Sequence, residues 1–172
     1  MPVLFYSCAS DRENRPHAWL TNSSKYFLLP PGDIENSMDI FQLISASFMG
    51  RDYLFNAWVK ADETGIDMAL LNELGANMGE LSYRDGIVSF SSSVLPALSP
   101  EYIVADFQFC FYNAAALARA LENCGLFFEE TGSVRRITQG KTLIVEIEKK
   151  QNSVRLVNHL RGYAYALEGG FE

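Results

Sequence analysis

The stretch Leu81–Phe111, LSYRDGIVSFSSSVLPALSPEYIVADFQFCF, changes its period partway along. Its first part alternates about Asp85-Gly86, a pair suited to a tight type I′ hairpin turn. Its second part places Ile103, Phe107, Cys110 and Phe111 at i, i+4, i+7 and i+8, one face of a helix. Ser91-Ser92-Ser93 and Leu95-Pro96 break the pattern between them, and Ser99-Pro100-Glu101 opens the helix with proline at its first position. Such a chain must pass from antiparallel strands into an apolar helix. The other segments must then supply something for that helix to pack on.

The flanks supply it. Upstream, Met38–Phe48, Asp52–Ala61, Ile66–Leu71, Met78–Tyr83 and Ile87–Ser91 read as five strands. They are joined by the short connections Met49-Gly50-Arg51, Asp62–Gly65, Asn72–Gly75 and Arg84–Gly86, which implies a meander. In the second of them, Tyr53, Phe55, Ala57 and Val59 share one face, and Leu54, Asn56, Trp58 and Lys60 the other. Downstream, Asn113 caps a second helix, AAALARALEN, that stops before Gly125. Strands follow at Leu126–Glu130, Ser133–Thr138, Lys141–Lys149, Val154–Asn158 and Tyr163–Leu167. In the third of these, Thr142, Ile144, Glu146 and Glu148 alternate with Leu143, Val145 and Ile147, a wet face against a dry one. Residues 11–37 read as irregular, with Trp19 to Leu29 forming either a short helix or a first edge strand. The predicted class is α+β, and two architectures satisfy it: a strongly curved antiparallel sheet holding two helices in its concavity, or a flat sheet covered on one side.

Length and charge exclude several functions. A chain of 172 residues is one domain, here residues 38–172, large enough to bury a substantial core. Its net charge of −7 with 14 Lys plus Arg leaves no basic footprint for nucleic acid or for anionic lipid. Aromatic residues make up 13% and suit either a ring-rich core or an apolar concavity. No run approaches the ~20 apolar residues that cross a bilayer. Cys8, Cys110 and Cys124 form no CxxC or Cys/His cluster, so no metal site is expected. Cys110 and Cys124 are either a disulfide or two buried thiols.

No residue set carries catalytic chemistry. His17 and His159 are isolated in sequence, GxSxG and the phosphate-binding glycine motifs are absent, and the acidic pairs lie on solvated faces. No cofactor is expected. Asp106 and Gln108, polar inside an apolar helix, are expected to satisfy backbone groups where sheet becomes helix. At the N-terminus, Val3–Tyr6 leads to Ser7-Cys8-Ala9. That resembles the end of a bacterial lipoprotein signal, in which a small residue precedes the cysteine that is lipidated. Seven residues, none basic, stand before Cys8, fewer than a working signal needs, so residues 1–10 read either as a residual signal or as an ordinary chain end.

The crossover, with GLFFEETGSVRRI, KTLIVEI and LVNHLRGYAYAL, resembles a family of uncharacterised bacterial lipoproteins found with aryl-polyene biosynthesis clusters of Gram-negative bacteria. The shared features are the Asp-Gly hairpin, the LP…LSPEYIVADFQ crossover, the GxxRR strand and the terminal N…GY, over residues 38–168. The family is similar to the periplasmic lipoprotein-localisation carriers of the LolA/LolB type, with an incomplete barrel and a helical lid over an acyl-chain cavity. The resemblance implies a non-enzymatic protein on the periplasmic face of the outer membrane, anchored through Cys8. It implies a lipid or acyl-chain ligand, and lipoproteins or biosynthetic enzymes as partners. The alternative is an envelope scaffold with a filled core. Leu74, in Asn72-Glu73-Leu74-Gly75, corresponds to the protruding leucine of that system's outer-membrane receptor, although the proline usual before it is Glu73 here. The cavity lining implied is Phe55, Trp58, Met68 and Leu70 from the sheet, closed by Ile103, Phe107 and Phe111; which strand parity faces inward is left open.

Overall fold

A computed structural model describes residues 15–48, 50–92 and 99–170. Five strands follow the expected meander: β3 (Met38–Phe48), β4 (Arg51–Asp62), β5 (Gly65–Leu71), β6 (Asn77–Arg84) and β7 (Ile87–Ser92). Before them, β1 (His17–Trp19) and β2 (Lys25–Phe27) pair as a separate hairpin inside the stretch that reads as irregular in sequence. Two helices come next, α1 (Pro100–Phe111) and α2 (Ala114–Glu122). Five more strands complete the chain: β8 (Phe127–Thr131), β9 (Val134–Gln139), β10 (Thr142–Lys150), β11 (Ser153–Asn158) and β12 (Tyr163–Glu168).

The two meanders make one antiparallel sheet of ten strands, ordered β7-β6-β5-β4-β3-β12-β11-β10-β9-β8. The joint is β3 against β12, where Tyr163 pairs with Phe48 and Leu167 with Ile44. The sheet curves without closing, and the helices pack on its inner face, as the first of the two architectures requires. Among the described residues, β7 and β8 are the two edge strands.

Pairing settles which residues face inward. Val59 opposes Met68 and Ile40, and Met68 opposes Leu81, so these four share a face with Phe55, Ala57 and Ala61. Phe55, Ala57, Val59, Ala61, Ile66, Leu81 and Tyr83 are all buried there. In β10 the alternation fails at one point. A register shift between Leu143 and Val145 turns Ile144 inward, so it is buried and not on the wet face its spacing predicts. The Asp85-Gly86 turn has both residues at positive φ, 51° and 73°, as a type I′ turn demands.

Helix α2 begins at Asn113, whose side chain accepts from the N–H groups of Ala115 and Ala116. Asn113→Ala is expected to cost about 1 kcal/mol, read as a shift in the urea midpoint with an unchanged m-value. Pro100 stands at the start of α1, but the Ser99 hydroxyl bonds the Glu101 carboxylate and not the helix backbone.

Candidate functional site

The inner face has a filled end and a half-open end. The filled end holds Val59, Ala61, Ile66 and Tyr83 in one core cluster with Tyr26, Leu28 and the α1 residue Phe109, and the Tyr83 hydroxyl donates to the Leu29 carbonyl at 3.0 Å. Toward the other end Ile44, Met68, Leu70, Phe90 and Ile103 are only half-buried, although they pack on the same core. This is the end where β3 turns into β4 and β5 into β6, and where α1 starts.

The expected lining residues divide accordingly. Phe55, Met68, Leu70, Ile103, Phe107 and Phe111 are all packed in or against the inner core, and the Phe107 and Phe111 rings lie 4.9 Å apart. Trp58 is the correction. Strand side chains alternate, so a face holding Phe55, Ala57 and Val59 cannot also hold Trp58. It lies 37% exposed on the outer face, opposite Phe41, and its indole N–H donates to Asp39 Oδ1 at 2.7 Å. Gln42 is buried on the inner face beside Ala57, and its Oε1 has no hydrogen-bond partner. Two open concavities of about 380 Å³ each lie elsewhere. One is on the outer side of β3, β4 and β12 around Ser45, Ser47, Leu54 and Ala166; the other lies between Arg15, His17 and Trp19 and the start of α1. None of the expected lining residues borders either.

Leu74 is 92% exposed. Turns favour polar residues, and this one holds an apolar side chain outward on a braced loop. Asn72 Oδ1 accepts from the N–H groups of Leu74 and Ala76, and the Gly75 N–H reaches the Asn72 carbonyl, with Gly75 at φ 76°. Leu74 therefore projects at the same end of the sheet as the half-open inner face. Cys8 lies outside the described residues.

Three polar contacts hold α1 over the sheet. Near its middle, Gln108 Oε1 accepts from the Leu29 N–H at 3.0 Å and from the Tyr26 hydroxyl at 2.9 Å, while its Nε2 donates to the Leu29 carbonyl at 2.8 Å. The expectation that Gln108 satisfies backbone is met. Two residues earlier, about half a turn round the helix, Asp106 accepts from the Tyr163 hydroxyl at 2.7 Å, and Asn158 Nδ2 donates to that same hydroxyl at 3.2 Å. Burial pushes the Asp106 carboxyl up to about 7, against the opposing pull of the Tyr163 hydrogen bond and the Arg161 charge. Arg161 itself donates to the Tyr102 hydroxyl at 2.6 Å and lies 4.3 Å over that ring.

At the C-terminal end the fastener is Arg135, which sequence reading missed. Its Nη1 donates to the carbonyls of Phe109, Cys110 and Tyr112 at 3.0, 3.2 and 2.9 Å. Its Nε and Nη2 meet Glu130 and Glu35 at 2.8 and 2.7 Å. Arg136 points the other way and pairs with Glu146 on the outer face. The available signal was the strand alternation around Ile137, which puts Arg135 on the dry side. Cys110 and Cys124 are free thiols. Burial raises Cys110 to about 12, so the thiol that would serve as a nucleophile stays protonated.

Among the described residues no helix is long and apolar enough to cross a membrane, and no group of three or more His, Cys, Asp or Glu is placed to hold a metal ion. No curated protein matches the chain. A family model does match, over residues 39–168, which run from the start of β3 to the end of β12 and contain the whole large sheet and both helices. The chain belongs to this family of proteins of unknown function, DUF3261.

Proposed function

We propose that this protein is a non-enzymatic lipoprotein of the outer membrane, facing the periplasm and anchored through Cys8. It takes an acyl or lipid-like chain at the half-open end of its sheet and assists the transfer or assembly of that lipid in the envelope. The observation that carries this reading is Leu74, an almost fully exposed leucine on a braced hairpin at the end where the inner apolar face is least covered. The resemblance to the aryl-polyene-associated lipoproteins and to LolA/LolB-type carriers points the same way. Phe55, Met68, Leu70, Ile103 and Phe107 would contact the chain, and the unpaired Gln42 Oε1 would accept from a hydroxyl or amide on it.

One observation favours a second reading. Met68, Leu70, Ile103 and Phe107 already pack in or against one core cluster, Phe55 is buried and stacks on Tyr53, and the two open concavities lie elsewhere. In that reading the core is filled and the domain is an envelope scaffold. Native mass spectrometry of protein purified from its own host separates the two. Co-purifying lipid is the expected result; protein that arrives bare from both membrane and periplasmic fractions overturns the ligand reading.

Leu74→Glu tests the tip. Binding to phosphatidylethanolamine–phosphatidylglycerol vesicles should fall roughly tenfold or more, the effect of withholding one leucine from an apolar phase. The melting temperature should hardly change, since an exposed side chain contributes little to folding. Unchanged vesicle binding removes Leu74 from the site.

A further inference from the structure

The two edges of the large sheet are treated differently. Edge β8 carries Glu129, Glu130 and Thr131, and α2 packs against it. Charge and cover of this kind are how sheets avoid pairing with other chains. Edge β7 lacks the charges, although α1 also lies against that strand. Ile87–Ser92, IVSFSS, contains no charged residue, no proline and no glycine, and Ile87 is 66% exposed.

The hairpin geometry says which β7 groups are free. Arg84 and Ile87 flank a two-residue turn, so they exchange both backbone hydrogen bonds, and the exchange recurs at Ser82–Ser89 and Glu80–Ser91. Ile87, Ser89 and Ser91 thus aim their N–H and C=O groups at β6. Val88 and Phe90 aim theirs away, and no strand among the described residues receives them. Their side chains face inward, opposite Tyr83 and Leu81.

We propose that β7 pairs antiparallel with β7 of a second copy about a twofold axis at Ser89, joining two sheets into one. In this register Val88 of each copy opposes Phe90 of the other, and the two pairs make four backbone hydrogen bonds from groups that no strand among the described residues receives. Val88–Phe90 is also a favourable aromatic–β-branched pair on the shared inner face. Ser89 meets Ser89 at the axis, where the closer spacing of a non-hydrogen-bonded pair suits a small side chain. No like charges meet along the strand, which is what a self-pairing edge needs in a chain of net charge −7. A second copy is favoured over an unrelated strand because the sequence is self-complementary about Ser89. The inference does not depend on a lipid ligand.

Cysteine placement tests the register. Ser89→Cys puts two thiols across the axis at Cα positions about 4.5 Å apart, within disulfide range. Mild oxidation of the full chain should then give a covalent dimer absent from the parent protein. Ile87→Cys faces Ser91 of the second copy and sits about 13 Å from its counterpart, so it should stay uncrosslinked. Analytical ultracentrifugation should show a concentration-dependent dimer that Ser89→Lys abolishes. Ser89 is exposed, so circular dichroism and the melting temperature of Ser89→Lys should match those of the parent at dilutions where the parent is monomeric. A parent chain that stays monomeric into the high micromolar range, or equal crosslinking at positions 87 and 89, overturns the proposal.

Discussion

Replacing Arg135 with alanine is expected to lower the unfolding free energy by roughly 3–5 kcal/mol, read by urea denaturation followed by circular dichroism. The guanidinium side chain is 1% exposed and serves five acceptors: three terminal carbonyls of α1 and the carboxylates of Glu35 and Glu130. Its removal leaves the carbonyls without their donor in a dry interior and Glu130 without its cation, while Glu35 keeps only Lys149, at 3.3 Å. Each is a cost of the kind that buried polar groups incur when a partner is lost. Arg135→Lys should recover less than half of the loss, because one ammonium cannot reproduce a planar fork that spans both carboxylates and the helix end. For a domain whose whole stability is of order 10 kcal/mol, the alanine variant is also expected to accumulate poorly in cells. A loss below ~1 kcal/mol would show that the helix end finds other donors, water included.

The second large effect depends on pH. Asp106 is buried and its carboxyl titrates near 7 in the fold, against an ordinary value of 3.8. The unfolded chain therefore releases this proton first. The stability that Asp106 contributes is full below pH ~4, declines as pH rises, and is lost once pH passes 7. Between pH 5 and 8 the decline amounts to roughly 2–3 kcal/mol. Asp106→Asn cannot ionise and removes this component. The difference in stability between parent and variant should move by that amount across the range, with the variant gaining on the parent as pH rises. The other carboxylates cancel in the comparison. A pH-independent difference would mean that Tyr163 and Arg161 hold Asp106 ionised in the fold.

Much of the architecture was legible from periodicity. Met38–Phe48 is a strand at the bounds its residues announce, Asp85-Gly86 turns, Pro100 opens α1 and Asn113 caps α2. These features are local, set by side chains within a few residues of one another. The hairpin at His17–Phe27 was not legible because its strands are three residues each, too short to show a period. The inward turn of Ile144 was hidden for a related reason: a bulge changes the parity of a strand without changing its composition.

Site residues divide along the same line. The polar positions inside the crossover helix stood out as anomalies, and Gln108 does pair with backbone. Their partners did not stand out, because Tyr163, Leu29 and Tyr26 lie 57, 79 and 82 residues away from them. Arg135 went unremarked in the sequence because only the sheet places it beneath the end of α1, with Arg136 on the other face. Phe55 and Trp58 lie on opposite faces by alternation alone, and only pairing decided that Phe55's face is the inner one.

What the sequence determined by itself is the set of elements: strands, turns, caps, and a helix with two polar residues in an apolar run. Those follow from propensity and spacing along the chain. Only the tertiary structure decided which face is inside, that β3 closes on β12, that Leu74 stands in solvent, and that Asp106, Gln108 and Arg135 fasten one helix. Each of those depends on register between strands far apart in sequence, and a shift of a single residue would turn every side chain to the other face.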